Sequence, residues 1–280
     1  MTLMNNPHQP QSTSLRALVA SLIKNHQLIY QMTKREVIGR YKGSVIGLVW
    51  SFFNPILMLV IYTFVFSVVF KSRWGVMGSE SKTEFATILF VGMIVFNLFS
   101  ETINRAPGLV LNNANYVKKV VFPLETLPVI NLGTALFHAG VSFGVLICAL
   151  FLLNGYLHWT VVFLPIVLLP FIFLIMGFSW FIASLGVFAR DVGQVIGVIT
   201  TLMMFLAPVF YPISAVPKEF QRWILVNPVS LIIEQARSIL IFGVSPDWFE
   251  IGIYLLFSIV LMALGFAWFQ KTRKGFADVI

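Results

Sequence analysis

The feature that most constrains this chain is a run of 28 residues, 43–70, that contains no Asp, Glu, Lys or Arg. A helix rises about 1.5 Å per residue, so roughly 20 apolar residues cross the ~30 Å hydrocarbon core of a bilayer. Four basic residues lie just before the run: Lys34, Arg35, Arg40 and Lys42. Because basic residues accumulate on the cytoplasmic side of membrane proteins, the pattern predicts a first span over 46–70 that starts in the cytoplasm.

Composition indicates that the rest of the chain is of the same kind. Hydrophobic residues make up 58% of the 280 positions and charged residues only 11%, whereas a soluble domain carries about 25% charged residues. The composition therefore excludes a soluble domain and predicts a polytopic protein in contact with membrane lipids. The net charge of +8 is interpreted as Lys and Arg retained on the cytoplasmic side, not as a nucleic-acid site. The single cysteine, Cys148, is predicted to be a small buried apolar side chain.

Further charge-poor stretches predict five more spans, over 85–105, 127–153, 161–189, 192–212 and 251–270. The 64 uncharged residues of 126–189 are too long for one span and suit two spans joined by a turn at Asn154-Gly155. Thirteen of the 19 basic residues then fall on the cytoplasmic side. The predicted fold is an all-α integral protein of the inner membrane. It has six transmembrane helices in a domain over 43–270 and both termini in the cytoplasm.

Four segments outside the spans receive predictions of their own. Residues 1–14 are polar, lack the apolar core of a signal peptide and are expected to be disordered. Residues 15–33 have an apolar helical face that suits the cytoplasmic membrane surface or a partner protein. Residues 213–247 are apolar yet charged, which predicts two short amphipathic helices in the outer leaflet, broken at Asn227-Pro228. Residues 271–280 are predicted to form a basic cytoplasmic tail.

Polar residues within or beside the spans give two further predictions. Glu101 and Arg105 lie four residues apart, so they are predicted to pair at the membrane edge, with a gating role as the alternative. His138 lies in the third predicted span. It is predicted to hydrogen-bond to a neighbouring helix, with a proton relay as the alternative.

Four motifs give the chain a family resemblance. They are RYKGSVIGLVWSFFNPILMLVIYTFVF in the first span, KKVVFPLETLP at 118–128, RD at 190–191 followed by PVFYP at 208–212, and NPVSLIIEQARSIL at 227–240. Together they resemble the permeases of type-2 ABC exporters, and most of all the branch that exports O-antigen, capsular polysaccharide or teichoic acid. The resemblance covers about residues 15–270.

The resemblance implies partners and sites. It implies a homodimer of this channel subunit, a separate cytoplasmic ABC ATPase that binds ATP and Mg, and a lipid-linked polysaccharide as cargo. Coupling to the ATPase is expected at Tyr116, Lys118, Lys119, Phe122, Pro123, Glu125, Arg190 and Asp191. Tyr116 and Phe122 are expected to be exposed and to fit a groove of the partner. An outer gate is expected at Asn227, Pro228, Glu234 and Arg237.

Aromatic residues supply a hypothesis for the substrate path. Phe, Trp and Tyr total 42 of 280 residues, which is more than an interfacial belt requires. Aromatic faces hold sugar rings weakly at many points, which suits a moving polymer. Lipid-facing or packing aromatics are the alternative. The candidate path residues are Trp50, Phe53, Tyr62, Phe205, Phe210 and Tyr211, and Tyr62 points to a different side of its helix from Trp50 and Phe53.

The sequence lacks the usual motifs of an enzyme. It contains no G-x-x-x-x-G-K-[ST], no H-E-x-x-H and no G-x-S-x-G, so we predict no ATPase, metal or catalytic site and no cofactor in this chain. The predicted function is the channel subunit of an ATP-driven polysaccharide exporter. Two alternatives stay open: an ABC exporter permease for drugs or small lipids, and a membrane-embedded enzyme of envelope biosynthesis.

Overall fold

The computed structural model describes residues 12–69, 82–118 and 122–280, which form helices and turns without a β-strand. The predicted disordered terminus, 1–14, and the stretch 71–84 between the first two predicted spans therefore lie almost entirely outside the described residues. The helices are α1 (Leu15–Lys24), α2 (His26–Arg40), α3 (Trp50–Tyr62), α4 (Lys82–Arg105), α5 (Ala114–Lys118), α6 (Thr126–Asn154), α7 (Leu164–Phe188), α8 (Val192–Leu206), α9 (Lys218–Val226), α10 (Pro228–Leu240), α11 (Trp248–Thr272) and α12 (Phe276–Val279).

Helix α4 lies at the centre of the described structure. Helices α3, α6, α7, α8 and α10 all contact it, and its apolar side chains, such as Ile88, Leu89 and Leu98, are buried. Because α4 touches so many neighbours, its charged residues Glu101 and Arg105 can reach partners on other helices.

The closest helix packing joins α7 to α11. A Cβ atom on Gly177 would lie 2.7 Å from the backbone of Leu261, and one on Gly265 would lie 2.1 Å from the carbonyl oxygen of Gly177. Both positions require glycine because a side chain would push the two helices apart. In a bilayer the surrounding lipid is as apolar as the helices, so close packing of small residues stabilises such pairs.

Within the described residues, five helical segments are long and apolar enough to cross a membrane: Gly47–Val65, Glu84–Gly108, Thr126–Asn154, Trp159–Phe188 and Trp248–Val279. They correspond to five of the six predicted spans.

The remaining predicted span, 192–212, corresponds to α8, which has only 15 residues. The helix ends at Leu206 because Ala207, which precedes Pro208, has an extended backbone with a ψ of 151°. A proline disfavours the helical conformation of the residue before it.

The N-terminal segment forms two helices where the sequence predicts one over 15–33. Helices α1 and α2 meet at Asn25, whose side chain donates to the carbonyl oxygen of Ser21 at 2.8 Å. Leu18 is buried and Leu22 packs against the same core, whereas Ile23 is exposed. The predicted apolar face therefore packs in part on the chain itself.

The connection from α2 to α3 turns sharply at two glycines. Gly43 and Gly47 have φ angles of +88° and +58°, a left-handed conformation that disfavours residues with a Cβ atom. This turn brings the end of α2 back alongside α4 and α6, which it contacts through Arg40 and Tyr41.

The segment after α8 forms two short helices, α9 and α10, with the break at Asn227-Pro228 where the sequence predicts it. The Asn227 side chain caps α10 by accepting a hydrogen bond from the Val229 backbone at 3.1 Å. Proline at the next position has no N–H to satisfy, so it suits the first turn of a helix.

Cys148 is exposed, so the prediction that it is buried is wrong. It lies on the face of α6 that also carries Gly140 and Gly144, beside Phe52 and Ile56 of α3. An apolar run in a membrane helix does not specify burial, since lipid accepts an apolar face as well as protein does.

Candidate functional site

A polar cavity of about 890 Å³ lies between the end of α2 and helices α3, α4 and α6. Most of its lining side chains carry hydrogen-bonding groups, which is unusual at the level of apolar spans. The polar residues around it are Glu36, Arg40, Tyr41, Trp50, Ser51, Asn54, Asn97, Ser100, Glu101, Asn104, Arg105, Thr134, His138 and Ser142.

Glu101 is the centre of one hydrogen-bonded cluster in this cavity. It pairs with Arg40 of α2, and the Nδ1 atom of His138 lies 3.1 and 3.2 Å from its two carboxylate oxygens. The Tyr41 hydroxyl lies 3.2 Å from the other ring nitrogen of His138. The prediction that His138 hydrogen-bonds to a neighbouring helix is thus confirmed.

Arg40 and Tyr41 also face the histidine ring. The Nη1 atom of Arg40 lies 3.1 Å from Nδ1 of His138, the ring nitrogen that also faces Glu101. Burial raises the pKa of Tyr41, so its phenol stays protonated at neutral pH beside the other ring nitrogen. Arg40, Tyr41, Glu101 and His138 therefore form one contiguous polar cluster.

Arg105 forms a second ion pair in the same cavity. Its Nη2 atom lies 3.2 Å from a carboxylate oxygen of Glu36 on α2, and that oxygen also accepts from Thr134 at 3.3 Å. The predicted pair between Glu101 and Arg105 is therefore wrong. Each of the two residues has a tertiary partner on α2 instead, and sequence spacing along α4 alone cannot reveal those partners.

The candidate path residues fall into two groups. Trp50 and Phe53 of α3 are both partly exposed and meet edge to face, with ring centroids 5.4 Å apart, and Trp50 lines the cavity. Tyr62 points elsewhere, as predicted, and packs against Phe90 of α4 at 6.4 Å.

The second group lies at the C-terminal end of α8. Phe205 is exposed on the helix, and the ring of Phe210 lies 6.2 Å away in the following turn. The Tyr211 hydroxyl donates to the carbonyl oxygen of Phe205 at 2.7 Å. The structure brings these three residues together but leaves both Phe210 and Tyr211 outside the helix in which the sequence places them.

The segment expected to couple to an ATPase is described only in part. Lys118 ends α5, and Lys119 lies outside the described residues. Phe122 is buried, so the prediction that it is exposed is wrong. Its ring stacks on Tyr116 with centroids 4.5 Å apart. Tyr116 is half-buried, so the exposure predicted for it is present only in part. Arg190 and Asp191 are exposed in the turn before α8.

Glu125 is buried and connects several parts of the chain. Its carboxylate accepts from the Ser21 hydroxyl of α1 and pairs with Arg273 after α11, each at 2.7 Å. Its backbone carbonyl accepts from the indole of Trp180 on α7 at 3.0 Å. Glu125 therefore positions the segment beside Phe122 and Pro123.

Arg237 is fully buried and connects α10 to two other elements. Its guanidinium donates to the carbonyl oxygens of Ile88 at 3.1 Å, Pro208 at 2.6 Å and Val209 at 2.9 Å. It also pairs with Glu234 at 2.9 Å. Burial lowers the pKa of Arg237 to about 10, so the group stays charged at neutral pH.

The other outer-gate candidates lie close to the same junction. The Asn227 amide donates to the carbonyl oxygen of Met203 on α8 at 3.0 Å. The Pro228 carbonyl accepts from the Tyr254 hydroxyl of α11 at 2.7 Å. Through these contacts the start of α10 is connected to α8 and α11.

In residues 12–69, 82–118 and 122–280, no group of three His, Cys, Asp or Glu side chains could hold a metal.

Comparison with known protein families identifies the family to which this chain belongs. The profile of the ABC-2 type transporter family matches residues 27–241, which is more than half of the chain. The chain belongs to the ABC-2 type transporter family. This ABC-2 transporter chain is matched from within α2 to just past the end of α10, so the match includes the polar cavity and the Arg237 junction.

Three relatives of this ABC-2 transporter chain cover nearly its full length. It is 26% identical over 265 residues to the O-antigen export system permease protein RfbA of Myxococcus xanthus, covering 94% of this chain and 99% of that protein. It is 24% identical over 261 residues to the capsule polysaccharide export inner-membrane protein CtrC of Neisseria meningitidis serogroup B, with coverages of 91% and 94%. It is 21% identical over 244 residues to the polysialic acid transport protein KpsM of Escherichia coli, with coverages of 86% and 92%.

Proposed function

We propose that this chain is the membrane-spanning subunit of an ATP-driven exporter that carries a lipid-linked polysaccharide across the cytoplasmic membrane. The observation that carries the proposal is the nearly full-length likeness to relatives named for export of O-antigen, capsule polysaccharide and polysialic acid. The polar cavity at the level of the spans supports it, because a hydroxyl-rich cargo needs hydrogen-bonding groups where lipid offers none.

The proposed topology has six spans with both termini in the cytoplasm. Helix α8 supplies the fifth span, although its 15 residues are shorter than the roughly 20 of a full crossing. Helices α9 and α10 follow at the outer leaflet, and α1 and α2 lie at the cytoplasmic surface. The basic residues support this arrangement, with 13 of 19 on the cytoplasmic side.

Two copies of the chain are proposed to form the channel together. Helices α3 and α8 both contact α4 and both have exposed apolar side chains, including Phe53 on α3 and Leu202 and Phe205 on α8. A second copy would cover these faces, and the two groups of candidate path aromatics lie on the same helices. The symmetric arrangement is the usual one for oligomers of a single chain.

Energy is proposed to come from a separate cytoplasmic ATPase that binds ATP and Mg, since the chain lacks a phosphate-binding loop. Tyr116, Pro123, Arg190 and Asp191 are the proposed contacts. Glu125 and Phe122 support them from inside the chain, because both are buried.

The test is a deletion of the gene in the source organism, followed by complementation with a tagged copy. We expect the deletion to remove polysaccharide from the cell surface and the tagged copy to restore it. The tagged chain is expected to copurify with an ATPase subunit in equal amount. An unchanged surface polysaccharide together with loss of a drug-resistance phenotype would instead favour the alternative of a drug exporter.

A further inference from the structure

We propose that the polar cavity between α2, α3, α4 and α6 is a binding site for uncharged sugar units of the exported polymer. This inference rests on the proposed function and adds the position and the chemical class of one contact. The side of α3 that faces this cavity carries Trp50, Ser51 and Asn54.

The charges around the cavity are balanced in pairs. Arg40 pairs with Glu101, and Arg105 pairs with Glu36. Among the described residues that line the cavity, neither arginine is left to neutralise an incoming anion. The charges of these two pairs sum to zero, so the cavity gives a phosphate or an acidic sugar no net attraction to offset the cost of removing its charge from water. The cavity therefore disfavours a lipid phosphate and an acidic polymer.

The uncharged lining groups match the chemistry of sugar hydroxyls. Within the described structure, the side-chain amides of Asn54 and Asn97 form no hydrogen bond with protein and border the cavity. Each amide offers two donors and one acceptor oxygen, and a sugar hydroxyl both donates and accepts. The two amides can therefore bind sugar hydroxyls without any change in the charge of the cavity.

Trp50 adds an apolar surface beside these amides. Its side chain lines the cavity and is held by the edge-to-face contact with Phe53 at 5.4 Å. A ring fixed in this way can cover the C–H face of a sugar while the amides bind its edge. The volume of about 890 Å³ lies within the range of about 300–1,000 Å³ of small-molecule sites, so a short stretch of polymer fits.

The decisive experiment is photocrosslinking in cells that produce the native polymer. We expect p-benzoylphenylalanine in place of Asn97 to form an adduct recognised by antiserum against the surface polysaccharide. The same group in place of Phe257, an exposed side chain of α11, serves as the control and is expected to form none. Mass spectrometry after mild acid cleavage is expected to find a neutral hexose, deoxyhexose or N-acetylhexosamine on the Asn97 peptide.

Other results would overturn the proposal. No adduct at Asn97, adducts at both positions, or an acidic sugar or lipid phosphate on the Asn97 peptide would each contradict it.

Export by variants provides a second measurement. The double variant Asn54→Leu/Asn97→Leu is expected to lower surface polysaccharide by at least about fivefold. This factor corresponds to the loss of one hydrogen bond of typical net strength. Gln31→Leu removes an exposed amide outside the cavity and is expected to leave export unchanged. Normal export by the double variant would overturn the sugar site alone. Surface polysaccharide that persists in the deletion strain would overturn the proposed function and the sugar site with it.

Discussion

Arg237 supplies hydrogen-bond donors to the backbone where helix α8 ends. Helix α8 ends at Leu206, so the carbonyl groups of Pro208 and Val209 have no helical partner, and the guanidinium supplies one to each. A fork of five N–H donors is suited to this task because it reaches several acceptors from one fixed plane. Gly92 of α4 makes room for it, since a Cβ atom there would lie 2.7 Å from Nη2 of Arg237.

Arg237→Met is therefore expected to lower the thermal stability of the purified protein. It leaves buried carbonyl groups unpaired, at a cost of about 1–3 kcal/mol for each unsatisfied group. The effect is measured as a change in the melting temperature in detergent, which is determined by size-exclusion chromatography with fluorescence detection. Arg222→Met changes an exposed arginine of α9 and is expected to leave the melting temperature within error. Equal melting temperatures for the two variants would contradict a stabilising role of the Arg237 junction.

The sequence motif around Arg237 predicts its place in the fold but not its burial. The break between α9 and α10 follows from Asn227-Pro228 because capping and proline act locally. The partners of Arg237 lie as far as 149 residues away in the chain. A charged residue in an amphipathic pattern predicts an exposed side chain. Arg237 is buried instead because α4 packs against α10.

In the segment from α5 to the start of α6, the exposure of the aromatic side chains differs from what the sequence pattern predicts. Tyr116 covers the buried ring of Phe122 and accepts a hydrogen bond from Arg35 at 3.3 Å. The pattern of aromatic and basic residues indicates a docking element, yet it does not show which ring faces outward. In the structure Phe122 is the buried ring of the pair and Tyr116 the half-buried one.

Tyr116→Ala is expected to weaken copurification of the ATPase while the melting temperature of the isolated subunit stays close to that of the wild type. Phe122→Ala is expected to lower both, because truncating a buried Phe costs about 3–5 kcal/mol. Tyr156→Ala, at an exposed tyrosine after α6, is the control for loss of a surface ring. Full ATPase binding by Tyr116→Ala would exclude this tyrosine from the docking surface.

At the scale of the whole molecule, the spans could be predicted because length and charge are local properties of the sequence. In the part of the chain that the structure describes, five long apolar helices correspond to five predicted spans. The polar cavity could not be predicted, because Asn54, Asn97 and His138 come together only when α3, α4 and α6 pack. The sequence identifies the same residues only as polar interruptions of apolar runs.

Labelling of single cysteines tests the proposed orientation. In a Cys148→Ser background, a cysteine in place of Lys218 is expected to react with a membrane-impermeant maleimide added to intact cells. Cysteines in place of Asn113 or Lys274 are expected to react only after the membrane is permeabilised, because the proposed topology has both on the cytoplasmic side. Reaction at Asn113 in intact cells would rule out the six-span arrangement.

The contacts of Glu125 give the molecule a mechanical property. Its side chain and backbone attach the segment at 122–125 to α1 through Ser21, to α7 through Trp180 and to the end of α11 through Arg273. Arg273 also holds the segment directly, by donating to the carbonyl oxygen of Phe122 at 3.0 Å. A force applied to this segment would therefore be shared at once by three helices that lie far apart in the chain. In the proposed topology the segment faces the cytoplasm, and the movement of an ATPase bound there is expected to reach these three helices together.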